Sequence, residues 1–459
     1  MTIFHNIPFE RLQVGMEAHA ERLCVADDFY VFAHASGNLN PLHIPEADGD
    51  GDGVPEAIAP SAWIGALISG VLGNQLPGPG TVYESQTLRF VGHATEGDTL
   101  RITVRLLEKL DGRRVRLDTR VTGTDGTAIA EGEAVVIAPA IDTQFDASDV
   151  PGLAVHRHRH FDALLKRAEP LAPIPTAVVV PDDAASLEGA LMAADHTLIT
   201  PILVGDPARI AAAAEALGRD LTGIEIIEAD SDHLAAVRSV ALVKDGRARP
   251  LMKGQMHTDI LLSAVLSHEA GLRTGRRLSH CFVFDVPGLP HLLTVTDAAI
   301  NIAPDLAAKV DIVQNAIDLL IALGIETPKV GILSAVETVT PKIPSTLDAA
   351  ILSKMADRGQ ITGGLVDGPL ALDNALDLQA ARTKGIKSLV AGRADVLVAP
   401  NLEAGNMLAK ELTFAAHAEG GGVVMGARCP IILTSRADSA KARLASAAIV
   451  ALCAGSVPE

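Results

Sequence analysis

Thr434-Ser435-Arg436-Ala437-Asp438-Ser439 gathers hydroxyls, a guanidinium and a carboxylate between an apolar run, Ile431-Ile432-Leu433, and a helical stretch from Lys441. Backbone N–H groups at such a strand-to-helix junction, with serine hydroxyls and one arginine, make an anion site. Other segments join glycines and polar side chains at expected strand ends. Leu251–Thr258 brings Lys253, Gly254 and Thr258; Thr296–Pro304 brings Asp297 and Asn301; Ser334–Thr338 brings Ser334 and Glu337; then come Gly420, Gly421 and Gly422. Each also has a structural reading of its own. Ser435 can cap the helix after it, Gly420–Gly422 can form a turn, and Lys253-Gly254 can open a helix. His156-Arg157-His158-Arg159-His160 aligns imidazoles as metal ligands would be, but the alternating arginines repel a cation and no carboxylate is near. It reads as a solvated linker or helix start, and no metal site is expected.

The elements that must position these groups fall into two kinds. From Thr176 onward, short apolar runs alternate with helical stretches: Ala177–Val180, Ile202–Val204, Ile224–Ile227, Lys329–Leu333, Val396–Val398 and Pro430–Leu433. Continuous apolar strands between helices predict α/β units around a mostly parallel sheet, whose strand ends hold ligands. Before them the pattern differs. Pro55–Gln75 reads as a buried helix, and three runs of period two follow, through Leu100–Leu106, Val115–Val121 and Val135–Ile137. Asp111-Gly112 and Asp125-Gly126 supply the positive φ that tight hairpins need. One buried helix beside an antiparallel meander predicts a helix wrapped by a curved sheet.

The balance of 38 Lys and Arg against 56 Asp and Glu gives a net charge of −18. Such a field repels a nucleic-acid backbone, so no nucleic-acid partner is expected, and an anionic substrate needs a local concentration of cations. The four cysteines, Cys24, Cys281, Cys429 and Cys453, are scattered, which fits a reducing compartment. Residues 1–10 lack a basic and then apolar leader, and no run reaches the roughly 18 apolar residues of a membrane span. A soluble cytoplasmic protein without membrane partners is expected.

The strings LMKG, TDAAINIAPDL, SAVETV, GPLALDNA, APNLEAGNML, GGGVVMGA and PIILTSRADS occur in the order found in the phosphate acetyltransferase and phosphate butyryltransferase family, which the chain resembles from about Thr176 onward. SAVETV and TSRADS are closer to the butyryl branch. The resemblance implies an isocitrate-dehydrogenase-like fold, two α/β subdomains around a cleft. It implies phosphate attack on an acyl-CoA carbonyl without a covalent enzyme intermediate. Acyl-CoA, CoA and inorganic phosphate are then substrates, and no cofactor is needed. Ser435 and Arg436 fall on the family's Ser-Arg pair, Arg436 to grip phosphate in a bidentate fork and Ser435 to donate to charge developing on the thioester. Asp297 is the further carboxylate expected at the centre. Lys253, Gly254, Thr258, Asn301, Ser334, Glu337, Gly421, Gly422 and Ser439 are expected to bind substrate. The family's acidic residue after the Ser-Arg pair is replaced by Ala440-Lys441-Ala442, leaving Asp438 or a group elsewhere as the base. Leu262-Ser263 stands where the family often has an arginine, leaving Lys253 and Arg273 to supply that charge.

Residues 10–138 resemble MaoC-like enoyl-CoA hydratases, of hot-dog fold, through Ser36-Gly37-Asn38-Leu39-Asn40-Pro41-Leu42-His43, Pro77–Gly80, Gln86–Phe90 and Glu96–Leu100. That family activates water with an Asp at the position of Asn38 and a His at that of His43. Asn38 cannot titrate, and Pro60-Ser61 replaces the family's His-Gly oxyanion pair, with proline removing one donor. The resulting expectation is an α+β hot-dog domain over 1–140 with weakened or absent hydratase activity, a linker over 141–155, and an α/β phosphate acyltransferase over 156–459. A fully bifunctional enzyme and a non-catalytic acyl-CoA-binding hot-dog module remain open, and a homo-oligomer, dimer or higher, is expected. A dehydrogenase would need Gly-x-Gly-x-x-Gly after an early strand and an acid about 20 positions on, which the sequence lacks.

Overall fold

The computed structural model describes residues 3–153, 155–269, 271–434 and 439–455. Two compact units are present, Met1–Val155 and His156–Glu459.

The first unit contains strands β1 (Ile3–His5), β2 (Glu17–Leu23), β3 (Val82–Phe90), β4 (Thr99–Lys109), β5 (Arg114–Gly123), β6 (Ala128–Ile137) and β7 (Gln144–Asp146). An antiparallel sheet of order β2-β4-β5-β6-β3 curls around the helix Ser61–Asn74. The alternation seen in the sequence is the reason. Leu100, Ile102, Val104 and Leu106 of β4 and Val115, Leu117 and Val121 of β5 turn inward to meet Ile64, Ile68 and Leu72 of the helix. Gly112 and Gly126 adopt positive φ of 71° and 87° at the two hairpins, as their Asp-Gly pairs require. Within the segment expected as a linker, residues 141–146 bind back onto this unit. β7 pairs antiparallel with β1, and the buried Asn6 donates to Ile141 O while accepting from Thr143 N.

The second unit contains β8 (Ile174–Val179), β9 (Ile199–Gly205), β10 (Glu225–Glu228), β11 (Leu251–Lys253), β12 (Ser279–Asp285), β13 (Leu293–Thr296), β14 (Lys329–Leu333), β15 (Leu365–Leu370), β16 (Val396–Val398), β17 (Glu419–Met425) and β18 (Ile431–Ile432). They form one sheet of eleven strands, ordered β10-β9-β8-β11-β18-β17-β12-β13-β16-β14-β15. The strands β10, β9, β8, β11 and β18 run parallel, and so do β13, β16, β14 and β15. Between these blocks β17 is antiparallel to β18 and to β12, and β12 to β13, so the blocks have opposite sense. Two α/β blocks are therefore joined through an antiparallel pair at the centre. The Gly420–Gly422 run lies inside β17 as strand, not turn.

Helices cover the sheet with their apolar sides. Leu306–Ala322 buries Ile312, Val313, Ile317 and Leu320, and its start is capped by Asp305, which accepts from Ala308 N at 2.8 Å. The last helix, Ala440–Gly455, packs on β17. A Cβ at Gly421 would meet Ile449 Cδ1 at 2.8 Å, so glycine there allows the close approach. Among the described residues no helix is long and apolar enough to cross a membrane.

Candidate functional site

A cleft of about 560 Å³ opens where β11, β18, β12 and the start of β17 come together. One wall is built from the end of β11. Lys253 is buried there with Nζ 3.2 Å from Gly254 O, and Met256, His257 and Thr258 follow into the helix Thr258–Leu266. Gly254 is demanded by backbone approach, since a Cβ would meet Val180 O at 2.3 Å. The floor holds Phe282 and Phe284, stacked with centroids 5.6 Å apart. Leu433, Thr434, Ser439, Glu419 and Gly420 form the opposite wall, and the helix Leu402–Phe414 closes the cleft with Asn406, Lys410, Thr413 and Phe414.

Aromatic and aliphatic surface lies next to cations here, in a chain of strongly negative net charge. Lys253 and Lys410 attract anions, and the first N–H groups of the helix Thr258–Leu266 add partial positive charge. Such a cleft suits a ligand with an apolar part and a phosphate or other anion.

Ser435, Arg436 and Asp438 lie outside the described residues. The residues on either side of that segment, Thr434 and Ser439, both line the cleft. Ser439 Oγ accepts from Ala442 N at 3.0 Å, capping the last helix. Thr434 Oγ1 accepts from the buried Arg443 at 2.7 Å.

Of the residues expected to bind substrate, Lys253, Thr258 and Ser439 meet at this cleft. The others are not among the residues that line it. Gly421 and Gly422 are buried packing positions, and a Cβ on Gly422 would meet Leu433 O at 2.4 Å. Asp297 is committed to its turn: its carboxylate accepts from the N–H groups of Ala299, Ile300 and Asn301 and from Asn301 Nδ2 at 2.6 Å. Asn301 Nδ2 also donates to Leu278 O. This geometry makes both residues builders of the loop that presents Ala299 to the cleft. Ser334 and Glu337 follow β14 and do not line the cleft. Ser334 Oγ is 2.8 Å from Ser345 Oγ. A backbone hydrogen bond and the Lys384 ammonium hold the Glu337 carboxyl below the usual range. Arg273 lies elsewhere too, beside His268, in a separate pocket with Arg276 and Arg277. The sequence reading missed Phe282, Phe284, Glu419 and Lys410. The signal for the helix carrying Lys410 was the string APNLEAGNML, which had yielded no side chain of its own.

In the first unit Asn38 and His43 sit close together in the chain, after the helix Ala26–Ser36 and in the short turn Pro41–His43. His43 Nδ1 is 2.9 Å from Ile58 O. A carbonyl only accepts, so Nδ1 carries a proton and donates it to Ile58 O. Asn38 Oδ1 accepts from Asn40 N. Pro60 precedes the helix Ser61–Asn74, whose first N–H is therefore that of Ser61. Asp48, Asp50, Asp52 and Glu56 bring carboxylate oxygens within 4.8 Å of one another, a grouping not expected from the sequence. Asp48 accepts from Gly51 N and Gly53 N, which organises that loop.

The family model "Phosphate acetyl/butaryl transferase" matches residues 233–451, and "MaoC like domain" matches residues 11–127. The chain is 58% identical over 294 residues to a phosphate acetyltransferase of Rhizobium meliloti, covering 64% of this chain and 93% of the relative. It is 43% identical over 297 residues to a phosphate butyryltransferase of Clostridium acetobutylicum, covering 65% of this chain and 99% of the relative. A solved branched-chain phosphotransacylase from Enterococcus faecalis V583 superposes with a TM-score of 0.55 at 29% identity, over 61% of this chain and 99% of that one. With its two-block sheet and the cleft at its centre, the chain belongs to the phosphate acetyl/butaryl transferase family, and a MaoC-like domain precedes that part.

Proposed function

We propose that the unit His156–Glu459 exchanges CoA and inorganic phosphate on a short acyl group, giving acyl phosphate and free CoA, reversibly. The observation that carries this reading is the cleft in which Lys253, Lys410 and the start of the helix Thr258–Leu266 face an apolar floor of Phe282 and Phe284, with Thr434 and Ser439 flanking the Ser435-Arg436 pair. Lys253 and Arg436 hold the phosphate, and the aromatic floor receives the acyl chain. Ser435 donates to the thioester oxygen as charge develops there, the differential stabilisation that lowers a barrier. Asp297 and Asn301 keep the neighbouring loop in shape. The relatives' names cover both acetyl and butyryl donors, so acetyl-, propionyl- and butyryl-CoA are the donors to try. Purified protein should release CoA from at least one of them only when phosphate or arsenate is present. Absence of phosphate-dependent release from all three would overturn the reading.

The MaoC-like unit hydrates enoyl-CoA weakly or not at all. Asn38 carries no titratable proton, although His43, anchored through Nδ1 to Ile58 O, directs Nε2 away from that bond. The enzyme works in the cytoplasm as a dimer or larger homo-oligomer, and light scattering at micromolar concentration tests the assembly against the 47.7 kDa of one chain.

A further inference from the structure

The exchange must move a proton as well as an acyl group. When hydrogen phosphate attacks, the acyl C–S bond breaks and an acyl C–O–P bond forms. The P–OH proton leaves, and the departing CoA thiolate receives one. A single group that first accepts and then donates closes this balance and ends in its starting state. The sequence puts alanines and Lys441 where the family has its acid, so this group has to be found elsewhere or in Asp438.

Glu419 is the one carboxylate among the described residues that line the cleft. It opens β17, with Oε1 3.4 Å from the Oγ of Ser439, a residue that also lines the cleft. Its Oε2 lies 3.5 Å from Nδ1 of His158, the middle member of the His-Arg run left without a role above. His158 Nε2 is 2.9 Å from His417 O. Because a carbonyl only accepts, Nε2 carries a proton, and Nδ1 then faces Oε2 with room for one proton between them. As imidazole and carboxylate, the pair offers Oε2 and the Nδ1 lone pair to one incoming proton, which it can then give back. Its side chains are 27% and 19% exposed, and Glu419 lines the cleft. The other groups nearby have separate tasks. Asp285, opposite Glu419 across β12 and β17, accepts from the N–H groups of His160 and Phe161. The His156 ring packs on His417, and Lys253, Lys410 and His257 line the cleft elsewhere.

Resting on the transferase reading, we infer that Glu419, coupled to His158, takes the phosphate proton and delivers it to the CoA sulfur. The test compares acyl-CoA with an acyl thioester of a thiophenol-class leaving group, whose thiolate departs without protonation. Glu419→Gln should lower kcat with acyl-CoA on the order of 100-fold, the usual scale for losing a proton-transfer group, with the KM for phosphate little changed. It should lose far less with the aryl thioester. His158→Asn should give a smaller loss and a displaced pH profile of kcat. Equal losses with both thioesters would mean a structural role and would overturn the inference, as would a Glu419→Gln variant that turns over acyl-CoA at the wild-type rate. A leaving-group-dependent loss in His257→Asn instead of Glu419→Gln would move the role across the cleft. If wild-type protein transfers no acyl group to phosphate, the transferase reading itself has failed, a result separable from all of these.

Discussion

Arg443 reaches from the interior of the last helix to Thr434, its Nη1 donating to Thr434 Oγ1 at 2.7 Å. Because Thr434 immediately precedes Ser435, this buried bond ties the end of β18 to the helix that follows the proposed Ser435-Arg436 pair. The guanidinium stem rests on Gly189 of the helix Ala184–Asp195, where a Cβ would meet Arg443 Cδ at 2.4 Å.

Gly189→Ala should therefore destabilise the protein, although alanine in a helix interior is ordinarily better than glycine by roughly 0.5–1 kcal/mol. Overpacking against Arg443 should cost about 1–3 kcal/mol and lower turnover by displacing Thr434. Chemical denaturation of the two proteins checks it, and a rise in stability would show that Arg443 yields without consequence.

Arg436→Ala should reduce phosphate-dependent CoA release by about 100-fold or more, from loss of transition-state electrostatics. Arg436→Lys keeps the charge without the planar fork and should fall between the two. A lysine variant as active as the wild type would rule out bidentate grip as the reason for arginine.

The thiols should be inert in the native protein. Burial, first among the causes, pushes Cys24 up to about 11 and Cys281, Cys429 and Cys453 up to about 12 from an ordinary 9.0. Iodoacetamide at pH 8 should leave native protein unmodified by mass spectrometry, and all four cysteines should react after unfolding. The raised values also set a sign. The stability linked to these neutral thiols is complete below about pH 9 and is lost as pH rises toward 11 to 12, where the folded thiols ionise too. Denaturation midpoints that climb between pH 9 and 11 would contradict it.

Asn38→Asp should raise crotonyl-CoA hydration above a low wild-type rate, because it restores a titratable group five positions before His43 with almost no change in shape. His43→Ala should abolish the activity of either version. An efficient wild-type hydratase indifferent to position 38 would show that another group activates the water.

The legible parts of this molecule were those governed by periodicity and by local turn chemistry. The alternation in β4 and β5, the Asp-Gly hairpins and the apolar strands β8, β9 and β14 follow from side-chain burial on one or both faces, which a sequence displays directly. Lys253, Thr258 and Ser439 reach the cleft because each sits at an element end. The glycines are not legible in the same way, because a glycine wanted for an anion and one wanted for close packing look the same in a sequence. Gly422 is fixed by Leu433 O, eleven positions on, and Gly421 by Ile449, contacts that exist only after folding. Phe282, Phe284 and Glu419 were overlooked for a related reason: the cleft forms where β12 meets β17, strands more than a hundred residues apart in the chain. The reversal of sheet polarity there had no local signature either.

The position of β18 has a consequence for biosynthesis. Among the described residues it is the last strand in sequence order, yet it occupies the middle of the sheet, between β11 and β17. Until it arrives, the block of β10, β9, β8 and β11 presents a bare edge of unpaired N–H and C=O groups, a template for wrong partners. Nascent chains should accordingly carry a vulnerable intermediate late in translation, when the hot-dog sheet can already be closed on its own helix but the transferase sheet cannot. Chaperone engagement is to be expected at that stage, and nonsense or frameshift lesions shortly before Ile431 should yield aggregates rather than partially active enzyme.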